Sequence, residues 1–259
     1  MSKYILFVVE GERKEPRFLE HLFTLMRTYS NYKILSYKTN IHKMLDGMFI
    51  GESIDDDLDF LEYLRSIKEA ESEILNNDFS DIFLIFDMDP QDQKFDRNRL
   101  SKAAEYFNDS TENGKLYINY PMMESYRHIP NLDDLSYLDV EVRSDDLHRY
   151  KEIAAKEGSP ILSDISKIDE VMMIKMIVLN LRKANMVLNA DKSIPGLGVY
   201  KDITQSALLF RELNVFENMG KLPVINTCLF NSIDYNADRF YNKLDEMIIG
   251  GIIRNTTLR

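Results

Sequence analysis

The hydrophobic positions of the chain follow one rhythm up to about residue 129 and another beyond it. "YILFVV" (Tyr4–Val9) is an unbroken apolar run, whereas a strand with one wet face would alternate. It predicts a strand buried on both faces, as in a parallel sheet. Glu15–Tyr29 reads as a helix, with Phe18, Leu22, Leu25, Met26 and Tyr29 on one face and Pro16 tolerated in the first turn. Tyr32–Lys38 alternates and predicts a second strand. Asp55–Leu75 predicts a helix with acids in its first turn and Leu58, Leu61, Tyr63, Leu64, Ile67 and Ile74 near one stripe. Asp81–Asp87 ("DIFLIFD") is a third strand, Leu100–Phe107 a helix and Leu116–Asn119 a short strand.

Strands alternating with helices predict an α/β unit with a mostly parallel sheet flanked by helices. Past Ile129 the helical period takes over. Asp145–Glu157 (Ser144 as its N-cap), Asp169–Leu188, Asp202–Glu217 and Asp238–Ile249 read as helices, and Lys221–Phe230 as a late strand. The expected organisation is a sheet-based core over 1–129 and a mainly helical extension over 130–259, with a soft boundary between Glu124 and Asp133.

Composition bears on this picture in three ways. Of 259 residues 44% are hydrophobic, with 14 Phe and 14 Tyr, so a large core can form without crosslinks. Cys228 is the single cysteine, which excludes an internal disulfide framework and reads as a buried core residue. No apolar run reaches the length of a membrane span and the N-terminus lacks a signal-peptide layout, so the expectation is a cytoplasmic protein without a membrane partner. The net charge of −11 argues against binding a polyanion by bulk charge. Local cations, or bound metal ions, would be needed.

Candidate chemistry sits where apolar strands run into acid: "LFVVEG" at Glu10, and "IFLIFDMDPQD" at Asp87 and Asp89. In extended chain, residues two apart face the same side, so Asp87 and Asp89 can aim at one point. Ligands of parallel sheets bind beyond the carboxyl ends of the strands. Two carboxylates about 4 Å apart repel by roughly 4 kcal/mol at an effective dielectric of about 20, and a divalent cation removes the conflict. All-carboxylate ligation points to Mg²⁺ or Mn²⁺, one ion or two. The competing reading makes these acids helix caps and turn formers, with Asp89-Pro90 a plain turn. Gly11, allowing close backbone approach, favours the metal.

These segments resemble a known family. An apolar strand ending in Glu-Gly, then one ending in Asp-x-Asp, is the pattern of Toprim domains. "VVEGERKEPRFLEHL" and "NYPMMESYRHI" (Asn119–Ile129) are similar to segments of RloB-like, OLD-related Toprim proteins of bacterial phage-defence and restriction loci. Tyr120 departs from the pattern by separating Asn119 from Pro121. The resemblance covers the first half and implies a metal-dependent nuclease of DNA or RNA, tRNA included. Glu10, Asp87 and Asp89 match its catalytic and metal-binding motif, and Glu15 and Glu124 match positions that would hold a second ion. It also implies a lysine near the metals, which no motif fixes here, and an ATPase encoded nearby as partner.

Other residues carry weaker signals. "QKFDRNRLSK" brings Lys94, Arg97, Arg99 and Lys102 directly after the Asp-x-Asp loop, and Arg13, Lys14 and Arg17 flank the other side. Substrate phosphates would be met by Arg13, Lys94, Arg97 and Arg99, unless the stretch is only a solvated face. Glu12 reads as favourable charge at a helix start, Asp92 as a solvated loop acid, and His128 and His148 as structural. "GLGVY" lacks the context of a dinucleotide loop and no Walker A sequence exists, so the chain is not expected to hydrolyse ATP. Two further classes stay open: a module that binds nucleic acid or a nucleotide without cutting, and a regulatory subunit of an ATPase complex.

Overall fold

The computed structural model describes residues 3–55 and 57–254. The apolar run forms β1 (Tyr4–Val9), whose last four residues are buried, followed by α1 (Lys14–Met26) and β2 (Tyr32–Ser36). Then come α2 (Ile41–Asp46), a hairpin of β3 (Phe49–Ile50) and β4 (Ser53–Ile54), α3 (Phe60–Ile67) and α4 (Ser72–Leu75). β5 (Phe79–Asp87), α5 (Arg97–Tyr106), β6 (Asn108–Asp109) and β7 (Gly114–Asn119) complete the sheet. The remainder contains β8 (Glu141–Arg143), α6 (Tyr150–Glu157), α7 (Glu170–Asn189) and α8 (Leu197–Tyr200). It closes with α9 (Gln205–Met219), β9 (Lys221–Pro223), α10 (Asn231–Tyr235) and α11 (Ala237–Ile249).

The five-stranded sheet has the order β2-β1-β5-β7-β6, parallel except for β6. The chain therefore steps from β1 to one side and returns on the other, so strand order reverses between β1 and β5. The crevice at such a reversal, outside the carboxyl ends, is where open α/β sheets bind ligands. Beneath it β1 and β5 are locked by aromatic packing. Phe7 stacks on Phe83 with ring centroids 5.1 Å apart and meets Phe23 at 4.7 Å and Tyr29 at 4.9 Å. Such pairs contribute about 0.5–1.5 kcal/mol each beyond area burial.

The helical half packs onto this sheet. One cluster of buried side chains runs from Leu6 to Ile253. Tyr120 and Ile225 form a β-bridge, α1 packs on α7 and α10, and α5 packs on α9. No described helix is long and apolar enough to cross a membrane.

Several expected elements differ. The helix over Asp55–Leu75 breaks into α3, a 3-10 turn at Glu69–Glu71 and α4, and its residue Asp56 lies outside the described residues, as do the last five of 130–259. The early acids serve turns instead: Asp55 accepts from the Asp57 amide, and Asp59 caps α3 by accepting from the Glu62 amide at 3.0 Å. α1 stops at Arg27, in left-handed backbone at φ 49°, which turns Tyr29 into the aromatic cluster. Ser144 lies inside a 3-10 turn (Ser144–Arg149) and caps nothing, so the regular helix begins only at Tyr150. The late strand shrinks to Lys221–Pro223 because Thr227–Phe230 coils into a 3-10 turn.

Candidate functional site

Val9 pairs with Ile85, so Glu10 emerges from β1 level with the last residues of β5. Its Oε2 accepts a hydrogen bond from the Asp87 amide at 3.3 Å. Asp87 ends β5 opposite Asn119 and is buried. Asp89 reaches the same place by a different route from the one expected. The extended chain stops at Asp87, and Asp89 adopts left-handed backbone at φ 43°. Two amides fold the turn onto the end of β7: Met88 donates to Asn119 O at 3.1 Å and to Pro121 O at 3.2 Å, and Asp89 donates to Pro121 O at 3.4 Å. A non-glycine residue at positive φ is uncommon and costs about 1–3 kcal/mol unless its surroundings enforce it.

Gly11 has a different role from the one expected. Its backbone is not left-handed, and a Cβ there would lie 2.3 Å from Glu15 Oε2. The missing side chain makes room for the Glu15 carboxylate, which α1 swings back over the strand end. Glu124 arrives from a 3-10 turn (Met123–Arg127) and is buried. That turn is held by the second half of the chain. Asn226 Nδ2 donates to Met123 O at 3.0 Å and to Ser125 Oγ at 2.9 Å, on either side of Glu124. Asn119 accepts from the Cys228 amide at 3.3 Å, so Asn119 and Asn226 tie the turn to the buried 226–228 segment.

The five carboxylates feel one another. Burial, then Asp89, pushes Glu10 up to about 8 from 4.5. Burial, then Glu10, Asp89, Glu124 and Glu15, hold Asp87 far above the ordinary carboxylate range. Glu15 is raised by burial and then Glu124, and Asp89 by burial, with His42 and Lys151 working against it. Burial would raise Glu124 too, but a hydrogen bond from Lys14 and the charge of Lys151 overcome it and leave it low. Lys14 Nζ is 2.8 Å and Lys151 Nζ 3.4 Å from Glu124 Oε1.

These donors are hard oxygens and suit Mg²⁺ or Mn²⁺. Among the described residues, however, no three His, Cys, Asp or Glu side chains stand in a ready ligating arrangement. A bound divalent ion would offset the cost of burying this negative charge, which is the main cause of the raised pKa values of Glu10, Glu15, Asp87 and Asp89, with mutual repulsion adding to it at Glu10, Glu15 and Asp87.

The basic stretch after Asp89 does not offer free cations. Lys94 and Arg99 both pair with Asp46, Arg97 pairs with Glu217 and donates to Asn214 at 2.8 Å, and Lys102 donates to Glu52 O at 2.5 Å. Lys94, Arg97 and Arg99, from which phosphate contacts are expected, are thus engaged by contacts within the protein. Arg13 stands exposed at the start of α1. Glu12 pairs with Lys38 at 3.4 Å, and Asp92 accepts from Asn40 Nδ2 at 2.7 Å and from the Lys94 amide at 2.8 Å. His128 is buried against Glu157 at 3.1 Å, His148 is exposed, and Cys228 is buried.

Three residues near the acids carry no sequence signal of their own. Lys151 comes from α6, far along the chain, and Lys14 was legible only as a flanking charge. His42 lies buried on α2, a helix too short for its period to show, with Nε2 3.0 Å from Met88 O. No family model, curated protein or solved structure matches the chain.

Proposed function

We propose that this protein is a Mg²⁺- or Mn²⁺-dependent nuclease that hydrolyses phosphodiester bonds at the crevice between β1 and β5. The observation carrying the reading is the gathering of Glu10, Glu15, Asp87, Asp89 and Glu124 at a strand-order reversal, with Lys14 and Lys151 at their edge. Four of these acids are raised by burial that turns or caps alone would not require. The similarity of the Glu-Gly and Asp-x-Asp segments to Toprim nucleases supports the same chemistry. A role in anti-phage defence beside an ATPase rests on that similarity alone.

Glu10, Asp87 and Asp89 would hold the first ion, and Glu15 and Glu124 a second. Bound divalent ions supply charge neutralisation at the scissile phosphate and make water a better nucleophile at neutral pH. The chain's own groups do the rest. Lys151, charged and exposed at the edge, would meet a phosphate oxygen and stabilise charge that grows as the ester breaks. The Asp87 amide fixes the Glu10 carboxylate. Asn226 fixes the turn bearing Glu124 and is a positioning residue.

The test is incubation of purified protein with plasmid, single-stranded DNA and total RNA, in Mg²⁺, Mn²⁺ or chelator. Metal-dependent cutting of at least one substrate, lost in Asp87→Ala, is expected. Absence of cutting with every substrate and both ions would overturn the proposal.

A further inference from the structure

Cations around the site are distributed unevenly. On the α5 side, Lys94, Arg97, Arg99 and Lys102 are all engaged by the protein, and Lys43 faces Asp92. On the α1 side the engaged cations pair with an acid of the site itself, and Arg13 and Arg17 beyond them have unengaged side chains. Lys14 and Lys151 meet at Glu124, and the next group along, Tyr126, is influenced by both Arg17 and Arg127. Arg17 and Lys167 in turn both act on Asp164. Arg13 and Arg17 are exposed, and their guanidinium groups make no hydrogen bond or ion pair with the described residues. Arg127 Nε is buried without a partner. Of the acids near this course, Glu12 is paired with Lys38 and Asp164 Oδ1 accepts from Ser166, while Glu20 on α1 and Glu152 on α6 are exposed.

From this one-sided arrangement we infer that a single nucleic-acid strand leaves the acidic crevice over Arg13, Lys14, Arg17 and Lys151, its backbone phosphates replacing solvent along α1 and α6. The inference rests on the nuclease reading and specifies its substrate as single-stranded. A duplex would carry its second row of phosphates past the α5 flank, where the basic residues are already paired and the net charge of −11 is unrelieved. A strand held by phosphate contacts alone is read without regard to sequence.

The measurement is fluorescence anisotropy of an end-labelled DNA strand, an RNA strand of the same sequence and the corresponding duplex, titrated in Ca²⁺ at several salt concentrations. The strand is expected to bind at least about tenfold more tightly than the duplex, with a log–log salt slope of roughly 3 for four contacts. Reversing both exposed arginines (R13E/R17E) should weaken strand binding more than about tenfold and lower the slope by roughly 1.4. K201E/R211E, with the same change in net charge just after α8 and on α9, should leave affinity within about twofold. Equal losses in the two double variants, or duplex bound as tightly as strand, overturn the path. If wild type cuts strands and R13E/R17E cuts and binds them equally well, the path fails and the nuclease reading stands. Wild type that neither binds nor cuts any strand overturns both. The DNA and RNA arms identify which backbone the path accepts.

Discussion

Gly11 is where a single methyl group tests the site most directly. A Cβ there meets the Glu15 carboxylate at 2.3 Å, so Gly11→Ala must push that carboxylate outward while leaving an ordinary backbone undisturbed. The expected result is a folded protein whose Mn²⁺ affinity by calorimetry falls about tenfold, or about 1.4 kcal/mol. Unchanged affinity would remove Glu15 from the ligand set. Sequence placed Glu10 and Gly11 together correctly and misread why, because a glycine's empty side-chain position shows only when a neighbour fills it. The same holds for Asp89. Its pairing with Asp87 was legible as Asp-x-Asp, but the convergence comes from a left-handed turn that Pro121 and Asn119 impose, not from strand alternation.

At the scale of elements, the cations of the basic stretch at α5, whose density pointed to phosphate contact, find partners within the protein. The α5 cations bind the protein together, and Arg97 joins α5 to α9 through Glu217 and Asn214. Arg97→Ala should cost about 1 kcal/mol of unfolding free energy, the range of a half-exposed ion pair with one further hydrogen bond. Nucleic-acid affinity by anisotropy should stay within about twofold, and a large loss would return α5 to the substrate path. Charge runs are visible in sequence, but their partners Asp46, Glu52 and Glu217 lie in segments that only the fold brings near. Long periodic elements such as β1, β5 and α7 were readable because burial dictates their composition. α2, the β3–β4 hairpin and β8 were not, since two to six residues hold too little of any period.

At the scale of the molecule, a buried acidic centre makes stability depend on pH and metal together. Glu10 rises from 4.5 to about 8 in the fold, so the native chain holds its proton more tightly than the unfolded chain does. Stability is therefore highest below about 4.5 as far as this group is concerned, and falls as pH rises towards 8. Asp87, Glu15 and Asp89 act in the same direction. In chelator, unfolding free energy should fall by about 2 kcal/mol or more between pH 5 and 8, about 4–8 °C in Tm, and millimolar Mg²⁺ should abolish the fall. A flat profile in chelator would mean the acids are not buried together. The sheet and its acids were foreseeable from the first half of the chain, whereas Lys151 and Asn226 belong to the second and reach the site only through the shared core. The central claim, that this acidic centre cuts nucleic acid, is tested most directly by single-turnover cleavage of a labelled strand in Mn²⁺ by wild type and Glu10→Gln. The substitution keeps size and removes the charge that holds the ions, so the rate should drop at least about a hundredfold, or about 2.7 kcal/mol, with strand affinity little changed. A Glu10→Gln protein that cuts as fast as wild type would contradict the account.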